Sequence, residues 1–259
     1  KSSIRKYGDP ELLKNMMDSV SPARPFIKFT VLSIAFVALI IGIAGPQIGS
    51  KLEEVKRKGV ELVIALDISN SMLAEDIQPN RLERAKQSII QLLGKLHNDK
   101  IGLIVFAGEA YVQLPVTTDY GAAKMFLNTV STDIVARQGK AIGAAIELAS
   151  KSFTSEQDKN KAIIIITDGE NHEDDAIAKS KEAAEKGIIV HTIGMGEPNG
   201  APIPLGKSGS NFRTDRTGQI VISKLDETLL QQIASSGQGK YIRANNSQTG
   251  LRILFDEIN

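Results

Sequence analysis

Residues 60–71 read VELVIALDISNS, an apolar run of strand length that ends abruptly in Asp67 and is followed at alternate positions by Ser69 and Ser71. A strand that is apolar at successive positions has no face to give to water, which is the pattern of a parallel sheet covered by helices on both sides. Three further segments have the same character: KIGLIVFA at 100–107, KAIIIITD at 161–168 and GIIVHTIG at 187–194. Each is too short for a globular helix and rich in β-branched residues, so each is expected to be an inner strand.

Helical patterns separate these strands. In 81–96 the apolar residues Leu82, Ala85, Ile89, Leu92, Leu93 and Leu96 recur at helical spacing, and Asn80 is placed to cap the first turn. The segments 121–130, 141–153 and 174–186 repeat the pattern. The stretch AYVQLPVT at 110–117 contains a proline and follows its predecessor after a short turn, so it is expected to be an antiparallel edge strand. Strand and helix in alternation, with right-handed crossovers, imply an α/β fold: a doubly wound, mostly parallel sheet with one antiparallel edge strand. From 195 to 223 the chain is rich in Gly, Pro, Ser and Asn and is expected to be an irregular insertion ending in a hairpin around 215–218. A helix at 226–235, a strand at 240–244 and a helix at 249–258 are expected to close the domain.

Residues 26–45, FIKFTVLSIAFVALIIGIAG, carry a single charge, Lys28, near one end. As a helix they would cover about 30 Å, the thickness of a bilayer core. A preceding segment of mostly polar residues suits a retained anchor better than a cleaved signal. The expected organisation is a juxtamembrane segment at 1–25, a transmembrane helix at 26–45, a connector at 46–58 and one domain at 59–259. Basic residues flank the span on both sides, so charge alone does not orient it. The first residue is Lys rather than Met, and the chain is expected to be part of a longer one.

Composition excludes several functions. Lys and Arg total 31 against 30 Asp and Glu, which provides no global field for nucleic acid. The chain has no Cys, hence no disulfide, thiolate metal site or thiol nucleophile. His97, His172 and His191 are far apart and are expected to be structural or surface residues. The first strand is followed by DISNSML, without the glycine pattern of a dinucleotide site, and a G-x-S-x-G elbow is absent.

In an open α/β sheet, ligands gather where the strands end. One strand end offers Asp67, Ser69 and Ser71 as alternate positions of an extended segment, which point the same way and present one carboxylate and two hydroxyls together. The other offers Thr167-Asp168-Gly169, with the glycine permitting a sharp turn. Together they supply hard oxygen ligands of the kind that suit Mg²⁺ or Mn²⁺ with coordination positions left over. This arrangement resembles the metal-ion-dependent adhesion site of von Willebrand factor A (VWA) domains, whose pattern is Asp-x-Ser-x-Ser, a Thr and an Asp. The segments KYGDPELL before the span, DISNSMLAEDIQPNRLERAK, LPVTTDYGAAKMFL and GMGEPNGAPIP extend the resemblance to VWA proteins of the bacterial Bat aerotolerance family, BatA/BatB-like.

The resemblance implies a protein-binding module and no enzymatic activity. The metal ligands carried over are Asp67, Ser69, Ser71 and Asp168. It also implies a bacterial inner-membrane location with a periplasmic domain, further spans on either side, and partners that include other Bat-type VWA proteins and a MoxR-type AAA ATPase. One position departs from the pattern: where the family has Gln-Gly-Thr-Ala-Ile-Gly, this chain has Gln138-Gly139-Lys140-Ala141-Ile142-Gly143. An ammonium has no lone pair and cannot ligate a cation. Either Lys140 places its own charge where the metal would sit, or it swings out and a weaker site survives. Thr117 or Thr118 is an alternative source of the missing hydroxyl, and a membrane scaffold with a vestigial site is an alternative function. A haloacid-dehalogenase-like phosphatase would need a second Asp two residues after the first, where this chain has Ser69.

Overall fold

A computed structural model of the chain describes residues 23–44, 59–96, 98–135, 138–139, 141–154, 160–170, 175–205 and 211–244. The apolar stretch near the start is a helix, α1 (Arg24–Ala44), of 21 residues with none buried, and its most apolar window has a mean hydropathy of 2.5. Thr30 turns its hydroxyl back to the carbonyl of Phe26 at 3.0 Å, which satisfies the polar group within the helix. By length and composition, α1 can cross a membrane. The remaining described residues form a separate unit.

Every expected strand of that unit is present: β1 (Glu61–Asp67), β2 (Lys100–Phe106), β3 (Ala110–Thr117), β4 (Lys161–Thr167) and β5 (Ile188–Gly194). The helices are α2 (Arg81–Leu93), α3 (Tyr120–Thr129), α4 (Ile142–Ser152), α5 (Ala176–Glu185) and, after the insertion, α6 (Glu227–Ser236). Asn80 caps α2 as its position implied, accepting from the Glu83 amide at 2.8 Å. Asp175, in the acidic run after the second strand tip, caps α5 in the same way by accepting from Ala178 at 3.0 Å. The helix expected at 249–258, together with His97 and His172, lies outside the described residues.

The insertion is more regular than its composition suggested. Strands β6 (Ala201–Pro202) and β7 (Ile222–Ser223) pair antiparallel, with further bridges at Pro204–Phe212 and Thr214–Ile220. The expected hairpin is there: Asp215 donates its amide to the Gln219 carbonyl at 2.8 Å, and Gly218 takes a positive φ of 82°. Short strands joined through proline-rich segments escape a periodicity test because each has too few residues to show alternation. The last strand, β8 (Gln238–Arg243), starts slightly earlier than expected.

The six-stranded sheet runs β3-β2-β1-β4-β5-β8, with β3 antiparallel and all other pairs parallel. Strand alternation divides the core. Leu62, Ile64 and Leu66 of β1 pack with Leu82, Ile89 and Leu127 of α2 and α3, while Val63 and Ala65 pack with Ile142, Ile146, Leu230 and Ile233 of α4 and α6. From β1 the chain first winds toward β2 and β3, then returns to lay β4 on the other side of β1. The winding direction therefore reverses between β1 and β4, which opens a crevice at their carboxyl ends.

The opposite end of β1 is locked by a buried acid. The Glu61 side chain is fully buried; it accepts from the Thr154 amide at 3.0 Å and from the Thr154 hydroxyl, and it pairs with Lys100 at 3.2 Å. Burial alone would raise its carboxyl, but the Thr154 hydrogen bonds and the Lys100 ammonium outweigh it and hold the group below its ordinary 4.5. A depressed folded-state value stabilises the fold above 4.5 and ceases to do so as the pH falls through the folded value. Denaturant midpoints should thus fall on acidification below 4.5. A Glu61→Gln variant should show a shallower fall over the same window; an unchanged slope would refute the assignment.

Candidate metal centre

Asp67 closes β1, and its carboxylate is fully buried. Oδ1 accepts from the Ser69 amide at 2.8 Å, and Oδ2 accepts from the Thr167 hydroxyl at 2.6 Å. Thr167 is the last residue of β4 and the neighbour of Asp168, so the two strand tips meet across the crevice. The Thr167 oxygen also accepts from the Gly169 amide at 3.1 Å, which turns the chain sharply after Asp168. Gly169 takes a φ of 80°, and an added Cβ there would lie 2.7 Å from the Asp226 carbonyl oxygen, so both the turn and the close approach require glycine.

The serines converge, but not by the expected route. The chain does not stay extended after Asp67; it passes through a 3₁₀ turn, Asn70–Leu73, with Ser69 extended at its start. The turn brings the Ser69 and Ser71 hydroxyls to 2.9 Å from one another. It prevails because Met72 and Ala74 donate their amides to the Ser69 and Ser71 carbonyls, satisfying backbone groups that an extended segment here would leave unpaired. Ser69 and Ser71 are buried, with 4% and 5% of their surface exposed, and Asp67 and Asp168 are fully buried.

The loop before α4 is fastened to the same crevice. Gln138 accepts from the Asn70 amide at 3.0 Å, and Ala141 donates its amide to the Ala107 carbonyl at 2.8 Å. Lys140 lies outside the described residues. Thr117 and Thr118 are not substitutes for the family threonine. Because β3 is antiparallel, Thr117 pairs with Ile101 at the start of β2, whereas Asp67 pairs with Phe106 at its end. The two threonines therefore belong to the opposite end of the sheet, a consequence of strand direction. His191 is structural, as expected: it is buried in β5 and accepts from the Lys240 amide through Nδ1 at 3.2 Å.

Asp168 has a partner that sequence patterns did not suggest. Arg81, the first residue of α2, is fully buried. Its Nε and Nη2 grip Asp76 at 2.8 and 2.6 Å, and its Nη1 reaches Asp168 Oδ2 at 3.2 Å and the Ser223 hydroxyl at 2.8 Å. Ser223 in turn donates to Asp168 Oδ2 at 3.1 Å, and its carbonyl accepts from Nη2 at 3.2 Å. Burial would raise the Asp76 carboxyl, but the Arg81 hydrogen bonds and charge, with the Glu197 amide, keep it below its ordinary range. Burial would lower the Arg81 guanidinium, yet Asp76, Asp168 and Glu170 raise it. A cation in the first turn of a helix opposes the helix dipole, so this placement is sustained by the acids around it. Two weak signals were available in the sequence: an arginine at the first position of α2, and an aspartate five residues earlier.

The donor set fits a hard divalent cation. The paired serine hydroxyls and the Asp67 carboxylate are hard oxygen donors of the kind that would suit such an ion. With Oδ2 of Asp168 already accepting from Arg81 and Ser223, Oδ1, which accepts from the Glu170 amide at 3.3 Å, is the oxygen through which Asp168 would contribute.

A family model described as von Willebrand factor type A domain matches residues 62–170. The crystal structure of a conserved hypothetical protein, BatB from Bacteroides thetaiotaomicron, is 52% identical over 77% of this chain and 97% of that chain, with a TM-score of 0.75. An aerotolerance-related membrane protein from Bacteroides fragilis, solved with multiple mutations to serines, is 51% identical over 78% of this chain and 99% of that chain, also with a TM-score of 0.75. An uncharacterised protein of Borreliella burgdorferi is 27% identical over 95% of this chain and 71% of its own length.

Proposed function

The chain belongs to the von Willebrand factor A-domain proteins of the Bat aerotolerance family, and from that we propose that it is a membrane-anchored protein-binding module rather than an enzyme. In this reading the strand tips form a site of the metal-ion-dependent adhesion type. Asp67, Ser69, Ser71 and Asp168 would hold Mg²⁺ or Mn²⁺, and the cation would offer an open coordination position to a carboxylate of the partner. The observation that carries the reading is the Ser69–Ser71 hydroxyl pair, 2.9 Å apart beside Asp67, at the reversal between β1 and β4. Helix α1 would anchor the domain in a bacterial inner membrane with the domain in the periplasm. The partners would be other Bat-type VWA proteins and a MoxR-type AAA ATPase.

The protein's own residues set the terms of binding. The 3₁₀ turn holds the two hydroxyls together, Thr167 and the Ser69 amide orient Asp67, and burial removes competing water from both carboxylates. Lys140 replaces the family's Thr with a cation, which would weaken metal binding by repulsion and by removing a ligand. Calorimetric titration of the detergent-solubilised chain with Mg²⁺ and Mn²⁺ tests this. The Lys140→Thr variant is expected to bind about tenfold or more tightly than the native chain, a difference of about 1.4 kcal/mol. If neither form binds either ion, the metal reading fails, and the scaffold with a vestigial site takes its place. A pull-down from solubilised membranes, comparing the native chain with Lys140→Thr, asks whether partner capture follows the metal.

A further inference from the structure

The insertion at 195–223 is fastened to the strand tips at both of its ends. At its start, the Glu197 amide donates to Asp76 Oδ2 at 2.8 Å, and Gly196 packs closely against the Arg81 guanidinium. The fit at Gly196 is close: an added Cβ would stand 2.6 Å from Arg81 Cζ, and the backbone takes a φ of 125°. At its end, Ser223 bonds both Arg81 and Asp168, Lys224 donates its amide to Glu170 at 2.9 Å, and the Asp226 amide bonds the Asp168 carbonyl at 2.8 Å. Between these ends, β6 and β7 pair with each other and with no strand of the main sheet. The fork of Arg81 thus joins three parts of the chain: the loop after β1 through Asp76, the tip of β4 through Asp168, and the insertion through Ser223.

We propose that Arg81 is the positioning residue of the strand-tip site, and that it couples the Asp168 carboxylate to the insertion, so that order in the insertion and cation affinity rise and fall together. A guanidinium is suited to this task because its planar donors satisfy Asp76 side-on while Nη1 remains for Asp168 and Ser223; an ammonium has no fixed fork. Arg81 and Ser223 both bond Oδ2 of Asp168, which fixes the orientation of that carboxylate at the strand tip. Coupling of this kind is reciprocal: if an ordered insertion tightens cation binding, a bound cation must order the insertion. Any partner that grips the insertion would then alter the affinity of the strand tips without touching them.

The proposal rests on reading the strand tips as a cation site, so its test has one arm that needs no cation. Hydrogen exchange of the full detergent-solubilised chain is compared among the native protein, Arg81→Lys, Ser223→Ala and Ser223→Thr. Arg81→Lys keeps the charge and loses the fork, Ser223→Ala loses the hydroxyl that bridges to Asp168, and Ser223→Thr retains it. Without metal, Arg81→Lys and Ser223→Ala should exchange faster both at Gly169–Glu170 and in the hairpin amides of Arg213 and Val221. The strands β1 and β2 should stay unchanged, and Ser223→Thr should behave as native. Faster exchange confined to the insertion, or spread evenly over the sheet, would overturn the coupling. In the second arm, Mn²⁺ is titrated by calorimetry. Arg81→Lys and Ser223→Ala should bind about five- to tenfold more weakly than native, the lower end of ordinary couplings, with Ser223→Thr restoring affinity. Equal affinities would overturn the positioning role. If native protein and Lys140→Thr both fail to bind Mn²⁺, the cation reading falls and the link from insertion to cation affinity falls with it; the metal-free arm then decides whether Arg81 couples Asp168 to the insertion.

Discussion

Arg81→Met is expected to lower the stability of the folded domain by about 3–5 kcal/mol, the usual cost of removing one partner from a buried ion-pair network. The guanidinium is fully buried, as is Asp168, and Asp76 is nearly so. Methionine matches much of the arginine stem, so packing changes little. What changes is that Asp76 loses its bidentate partner, and Ser223 loses a donor to its hydroxyl and its carbonyl. A buried carboxylate without compensation is far costlier than the modest net gain from forming a buried pair. Urea denaturation of the solubilised native and variant chains, followed by a probe of the domain, measures this. Adding Asp76→Asn to Arg81→Met should recover part of the loss, because one uncompensated charge is removed. A loss below about 1 kcal/mol would mean that water screens the cluster as it does a surface pair.

Asp67→Asn is expected to weaken Mg²⁺ or Mn²⁺ binding about a hundredfold or more, measured in the Lys140→Thr background where affinity is greatest. A unit charge about 4 Å from a divalent ion, at an effective dielectric of about 20, contributes roughly 8 kcal/mol before desolvation is subtracted. Half of that still exceeds the roughly 2.7 kcal/mol of a hundredfold change. The substitution keeps the shape of the side chain, and one oxygen can still accept from the Ser69 amide. The amide nitrogen meets the Thr167 hydroxyl, which already accepts from Gly169, so a smaller loss of stability should accompany the loss of binding. Asp67→Asn binding the ion as tightly as its parent would remove Asp67 from the site, and with it the strongest support for the adhesion reading. Ser69→Ala is neutral in charge and should act more weakly, which separates the electrostatic contribution from that of ligand number.

Much of this architecture was legible in the sequence because its determinants are local. A strand buried on both faces must be apolar at successive residues, so β1, β2, β4 and β5 announced themselves, and the aspartates that end two of the runs, Asp67 and Asp168, marked strand tips. Proline and the brief turn before it distinguished β3, and the cap of α2 was visible as Asn80, whereas the Asp175 cap of α5 came only from the structure. The paired short strands of the insertion were not legible, because two residues cannot display a period and Gly- and Pro-rich composition reads equally well as irregular loop. The conformation of the serine segment was also out of reach: alternate spacing is compatible with an extended strand or a 3₁₀ turn, and only the backbone hydrogen bonds choose between them.

The sequence by itself determined which residues would stand at the ends of strands and what chemistry they could offer, since hydrophobic burial and residue type are properties of short segments. It also determined that one helix is long and apolar enough to cross a membrane. Only the tertiary structure decided which tips adjoin, that Thr117 lies at the far end of the sheet, and that Arg81 reaches Asp168 and Ser223, 87 and 142 residues away. The physical reason is that a buried guanidinium chooses partners by distance and direction in space, after every strand has been laid in order, and no local pattern records that choice.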